Sequence, residues 1–156
     1  MINLKKAQRD LWLFGLFKIP MIGFVGPKII MMDDEMIVVK IKYKRRTLNH
    51  LKSIYLGALV VGADLVAGFH AFFISKALNK NVSLVFKDFS GEFLQRPMSD
   101  VYFVCKEGLK VKDMIDRSFA SGERITEAIH IEAFTNYPED PVLCANFTLG
   151  LSLRNK

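Results

Sequence analysis

The stretch Ile54-Tyr55-Leu56-Gly57-Ala58-Leu59-Val60-Val61-Gly62-Ala63-Asp64-Leu65-Val66-Ala67-Gly68-Phe69-His70-Ala71-Phe72-Phe73-Ile74 is apolar almost all round, and its reading decides the fold. Length and pattern predict a helix over 51–78, buried on every side. At about 1.5 Å per residue it would run roughly 30 Å, enough to cross a small domain or a bilayer. Asp64 stands near its midpoint, where an ionisable group costs on the order of 3 kcal/mol in lipid. In a protein core the same burial can be resolved by a partner, a cleft or a catalytic task. The helix is therefore expected to be wrapped by a sheet and not to span a membrane, with Asp64 as the functional centre. The alternative for Asp64 is a structural carboxylate paired with an arginine or bonded to a neighbouring subunit.

Working outward, Leu143, Ala145, Phe147, Leu149, Leu151 and Leu153 alternate with Asn146, Thr148, Gly150 and Ser152, the cleanest period of two in the chain. That alternation marks a strand over 142–153 with one face in the core. It pairs with 124–134 across Asn136-Tyr137-Pro138-Glu139-Asp140-Pro141. Residues 82–86 and 91–94 read as one bent strand and 100–106 as the next, with Arg96-Pro97 between them. Val111, Met114, Ile115 and Phe119 have helical spacing, so 109–120 reads as a short surface helix. Before the central helix, 28–32 and 36–44 form a hairpin around Asp33-Asp34-Glu35. A polar connection over 45–50 follows, in which Asn49 or Ser53 can cap the long helix. Residues 4–17 read as a helix ended by Gly15 and Pro20, and 19–27, with two prolines and two glycines, as a loop. The sum is an α+β fold, a single domain over 1–156 in which a curved antiparallel sheet enfolds one long helix. Residues 1–20 supply an N-terminal helix and lead-in.

With 156 residues, 51% apolar and 24% charged, the chain suits one globular domain and excludes a disordered class. A formal net charge of +6 points to an anionic partner. The run Lys40-Ile41-Lys42-Tyr43-Lys44-Arg45-Arg46 alternates as the solvent face of a strand does, with phosphate contact as the alternative. No basic and aromatic surface pattern accompanies the charge, so nucleic acid is not an expected partner. Cys105 and Cys144 lie in apolar runs and read as buried free thiols of a reducing, cytoplasmic compartment. His50, His70 and His130 lack metal-ligand spacing, and Asp33-Asp34-Glu35 reads as a solvated turn, so neither a metal nor a cofactor is expected. A glycine-rich phosphate loop and a serine nucleophile elbow are both missing from the sequence. Lys5, Lys6 and Arg9 ahead of Leu11-Trp12-Leu13-Phe14-Gly15-Leu16-Phe17 loosely imitate a signal peptide. The run is short and no small-residue cleavage site follows, so it reads as an amphipathic docking helix. Its surplus apolar side chains imply packing between elements or against a second subunit.

The order of elements resembles the hotdog fold, and the resemblance sharpens over residues 49–64. In the PaaI-like group of hotdog acyl-CoA thioesterases an Asn, a His-Gly-Gly step and a helical Asp or Glu occur at this spacing. By that likeness Asp64 is the catalytic carboxylate, Asn49 positions water or the thioester, and Gly57 is the second glycine of the step. Tyr55 stands where the family has His, and Leu56 where it has the first Gly. The same stretch is similar to an uncharacterised hotdog subgroup. The resemblance implies hydrolysis of acyl-CoA or acyl-carrier thioesters by a homodimer, with tetramers as a further assembly. Asp64 would act as general base or nucleophile, and backbone N–H groups near Leu56 and Gly57 as the oxyanion hole. Tyr55, His50 and Ser53 would touch substrate, and Lys40, Lys42, Arg45, Arg46 or Lys52 could meet coenzyme phosphates. The alternative is a non-catalytic acyl-CoA or lipid-binding hotdog module, which the Tyr55-Leu56 departure favours.

Overall fold

The computed structural model describes residues 3–156. In chain order the elements are α1 (Leu4–Phe17), α2 (Pro20–Val25), β1 (Lys28–Met32), β2 (Ile37–Ile41), α3 (Leu56–Ala77), β3 (Val82–Phe93), β4 (Val101–Cys105), α4 (Gly108–Ser121), β5 (Ile125–Thr135) and β6 (Val142–Asn155). The six strands form one antiparallel sheet in the order β1-β2-β4-β5-β6-β3. It curves around α3, which meets β2, β3, β4, β5 and β6. The α+β architecture read from the sequence is the one observed.

The core follows from the alternation in the strands. On β6 the side chains of Ala145, Phe147, Leu149, Leu151 and Leu153 are buried. They lie beside Ile129, Ile131 and Ala133 of β5 and Val101, Phe103 and Cys105 of β4. Each fully buried Leu, Ile or Phe contributes about 1.5–3 kcal/mol by leaving water. Against this surface α3 presents small residues, Gly62, Ala63 and Ala67, so that helix and sheet approach closely. A Cβ on Gly62 would lie 2.4 Å from the Phe103 ring, which explains glycine there.

Four local features differ from the sequence reading. The long helix is not buried on every side: Gly57, Val61, Asp64, Gly68 and Phe72, spaced by one turn each, form a stripe that the sheet leaves partly open. It also starts at Leu56, not at 51, with Tyr55 as its N-cap and no capping side chain. Asn49 and Ser53 are therefore not its caps. The Asn49 side chain bonds inside its own loop, accepting from the N–H groups of Leu51 and Ser53 at 2.9 and 3.1 Å and donating to Ser53 Oγ at 2.9 Å. Such local bonds compete with capping. Residues 20–25, expected as loop, form α2: Pro20 suits a first helical position, and Gly26 ends the turn at φ 68°. Finally, β2 stops at Ile41, because Tyr43 leaves the ladder to donate its N–H to Asp100 Oδ1 at 2.8 Å.

The bent strand is present as β3, with its irregularity between Phe86 and Phe89. Among the described residues it pairs with β6 alone, which leaves its other edge free. The helix expected over 109–120 is α4, and it is half-buried on Val111, Met114 and Ile115. Cys105 and Cys144 are buried free thiols, each pushed up to about 11 by burial.

Candidate active site

Asp64 sits on the open stripe of α3, half-buried, and faces a hollow of about 320 Å³. Its walls come from three places: Phe14, Ile19 and Ile22 of the N-terminal segment, Leu65, Gly68, Phe69 and Phe72 of α3, and Leu84, Val85 and Phe86 of β3. Asp64 is the only charged side chain among them. Among the described residues it has no hydrogen-bond donor and no basic side chain within ion-pair distance. Burial alone pushes its carboxyl above the usual aspartate range. A carboxylate so placed is a stronger base than a solvated one.

The remaining candidate residues gather at the other end of the stripe. Asn49, Ser53 and Leu56 line a second hollow of about 410 Å³ with Ile54, Leu59 and residues 93–97. The N–H groups of Leu56 and Gly57, at the start of α3, have no acceptor among the described residues. Tyr55 is not a further donor: its N–H is taken by the Thr47 carbonyl at 2.8 Å. Its side chain is exposed and its ring lies over Gly57, where a Cβ would come within 2.6 Å of it. His50 is exposed on the 49–53 loop and lines neither hollow.

Within one copy, therefore, Asp64 and the free N–H groups do not share a cavity. Seven residues of helix separate Gly57 from Asp64, about 10 Å along the axis. A single carbonyl needs both groups at about 3 Å.

The basic residues divide as well. Lys40 is drawn into a pair with Asp100 at 3.2 Å and over the Tyr102 ring, which raises its pKa, the Asp100 bond being the chief cause. It is thereby removed from the candidates for phosphate contact. Arg45 and Arg46 stay exposed. His70 is buried, with Nε2 2.8 Å from the Asp33 carbonyl, and burial holds its pKa below the usual value. His130 pairs at the surface with Glu107 at 2.7 Å.

Sequence reasoning did not find Phe14, Ile19 and Ile22, nor Leu84, Val85 and Phe86, as walls around Asp64. The available signal was Gly68, one turn beyond Asp64, where a missing side chain leaves room beside the acid.

Many solved structures share this architecture, among them the following three. A protein from Chlorobaculum tepidum of unknown function superposes with a TM-score of 0.83 at 12% identity, covering 99% of this chain and 98% of that one. A candidate thioesterase from Shewanella oneidensis gives 0.78 at 15% identity, covering 96% and 99%. The Escherichia coli PaaI protein of the phenylacetic acid degradation operon gives 0.62 at 18% identity, covering 97% and 96%. The chain thus has the hotdog fold seen in thioesterases of the PaaI-like kind. By sequence it belongs to the family described as a domain of unknown function (DUF4442), which matches residues 9–136. No curated protein matches it significantly.

Proposed function

We propose that the protein hydrolyses acyl-CoA or acyl-carrier thioesters as a homodimer in the cytoplasm, with Asp64 as general base or nucleophile. One observation carries this reading: an unpaired carboxylate, its pKa raised by burial, faces an apolar hollow able to take an acyl chain. Hydrolysis needs a base or nucleophile and donors aimed at the developing oxyanion. The unpaired N–H groups of Leu56 and Gly57 are suitable donors.

A second copy brings the two halves together. β3 is a free edge of 12 residues with Val85, Phe89 and Phe93 exposed, the kind of edge that pairs with another strand. Residues 84–86 of this strand line the Asp64 hollow and residues 93 and 94 the Leu56 hollow. Antiparallel pairing of two β3 edges about their middle would set one copy's first hollow against the other's second. The site would then combine Asp64 of one copy with Asn49, Leu56 and Gly57 of the other. Ser53 supports Asn49 through their mutual bonds, Tyr55 stands at the entrance, and His50, Lys42, Lys52, Arg45 and Arg46 remain available to the carrier. Such dimers could pair further into tetramers.

The test is release of free thiol from a panel of acyl-CoA thioesters by wild type and Asp64→Asn. The expected loss is about 100-fold or more in kcat, with folding retained. Undiminished hydrolysis by the variant would discard the role of Asp64.

A second reading, a non-catalytic acyl-binding module, is favoured by the Tyr55 ring lying over Gly57, since it covers part of the approach to the helix N-terminus. Thermal stabilisation by acyl-CoA without thiol release would select that reading.

A further inference from the structure

The outer sides of α1 and α2 form a surface that the Asp64 hollow does not use. On α1 the residues Ala7, Leu11 and Gly15 turn inward. The opposite side carries Lys5, Lys6 and Arg9 in its first half and Trp12, Leu13, Leu16 and Phe17 in its second, all exposed. Phe17 is 72% exposed and Trp12 61%, and α2 adds Met21 at 60% and Phe24 at 57%. The two helices cross at paired glycines: a Cβ on Gly15 would lie 2.8 Å from the backbone nitrogen of Gly23. That close crossing holds both sets of side chains as one patch.

The charge around the patch is mostly positive, with Asp34 joining Lys6 and Asp10 around a neighbouring hollow. In the first 32 residues Lys5, Lys6, Arg9, Lys18 and Lys28 stand against a single acid, Asp10. Asp10 is itself taken up by Arg9 at 3.4 Å and Lys76 at 3.8 Å. Beside α2, the Arg46 guanidinium lies 5.8 Å from the Phe24 ring centre, and the side chains of Lys44 and Arg46 end next to Gly26.

We propose that this face docks on a lipid bilayer bearing anionic headgroups. Trp12, Leu16, Phe17, Met21 and Phe24 enter the boundary between headgroups and acyl chains, while Lys5, Lys6, Arg9, Lys18 and Arg46 meet the phosphates. Charge complementarity selects this occupant. A second copy of the chain docked on the same face would set uncompensated lysines and arginines against their like, whereas an anionic bilayer accommodates both the apolar and the basic part. The inner sides of the same segment, Phe14, Ile19 and Ile22, wall the Asp64 hollow, so docking would hold that hollow one helix away from lipid. The proposal stands independently of whether Asp64 hydrolyses a thioester.

Trp12 is the only tryptophan in the chain, so its emission reports on this patch directly. The full chain is titrated with vesicles of phosphatidylcholine alone and of phosphatidylcholine mixed with phosphatidylglycerol, with co-sedimentation in parallel. The expected result is a blue shift and sedimentation with the mixed vesicles, about ten-fold weaker or more on phosphatidylcholine alone, and reversed by salt. The triple variant Lys5→Glu, Lys6→Glu, Arg9→Glu should bind the mixed vesicles about ten-fold more weakly or worse at an unchanged melting temperature. The double variant Phe17→Ser, Phe24→Ser should also lose binding. Three outcomes overturn the proposal: no shift with either vesicle, equal binding to both, or a shift that grows with protein concentration in the absence of lipid. Should a variant fail to fold, the comparison of vesicles on wild type decides alone.

Discussion

Two sides of α3 meet very different surroundings. The side toward the sheet is built from Gly62, Ala63, Val66 and Ala67 and is sealed: Ala63 and Val66 are fully buried, and Gly62 touches the Phe103 ring. The open stripe of Gly57, Val61, Asp64, Gly68 and Phe72 is partly exposed, borders a hollow at Asp64, Gly68 and Phe72, and carries the helix's only carboxylate. The contrast teaches why an almost uniformly apolar helix tolerates an acid near its middle. Asp64 falls where the packing leaves space, so its ionisation is costly but not prohibitive. One residue earlier the same side chain would meet a sealed core.

The sharpest way to break this comparison is to move the acid by one position. Ala63→Asp should destabilise by about 3 kcal/mol or more, read as a large fall in the urea midpoint, because no donor or solvent is at hand there. A mild effect would mean that the sheet side is not sealed. Next in size is the pair Gly62→Ala and Gly68→Ala, the same change on each side of one helix. Gly62→Ala should cost about 1–3 kcal/mol by overpacking the fully buried Phe103. At Gly68 the nearest atom to an added Cβ is 3.5 Å away, an ordinary contact with Phe86. There the gain in helix propensity should give about 0.5–1 kcal/mol of added stability while narrowing the hollow. Equal effects at the two glycines would erase the distinction.

The smallest effect is a dependence on pH. Burial raises the Asp64 pKa in the folded state only, so the folded protein keeps a proton that the unfolded chain releases more easily. The stabilisation from that retained proton is fully present below the unfolded carboxyl's value of about 3.9, and is lost as pH rises through the folded pKa. Asp64→Asn should therefore raise the melting temperature at neutral pH and leave it nearly unchanged at acid pH. A variant that melts lower at neutral pH would reveal a structural partner for the carboxylate.

Much of the fold was legible because its signals are local. The period of two in β6 reads directly as one buried face, and the irregularity of β3 falls between the two halves of its bent run. What escaped depended on contacts between distant residues. The segment 20–25 looks like a loop by composition, and its helix is held to α1 by the approach of Gly15 and Gly23, which no local pattern reveals. Asn49 has the composition of a cap, but its short side chain reached its own loop first. Asp64 stood out from its surroundings alone. The spacing of Gly57 and Asp64 matched a family pattern, yet a count of residues does not say that two turns of helix keep Gly57 out of the hollow that Asp64 faces. The walls from Phe14, Ile19 and Ile22 could not be assigned to Asp64 before the path of the chain was known.

Among the described residues no basic group neutralises Asp64, which is open to an apolar hollow. Following the Asp64 carboxyl carbon by nuclear magnetic resonance through a pH titration of the free protein, with Asp64→Asn to assign the signal, measures that state without knowledge of the substrate. A midpoint clearly above the ordinary aspartate value of about 3.9 is the expected result. A midpoint at or below that value would mean that a cation or donor already satisfies the carboxylate, and would contradict its assignment as the base.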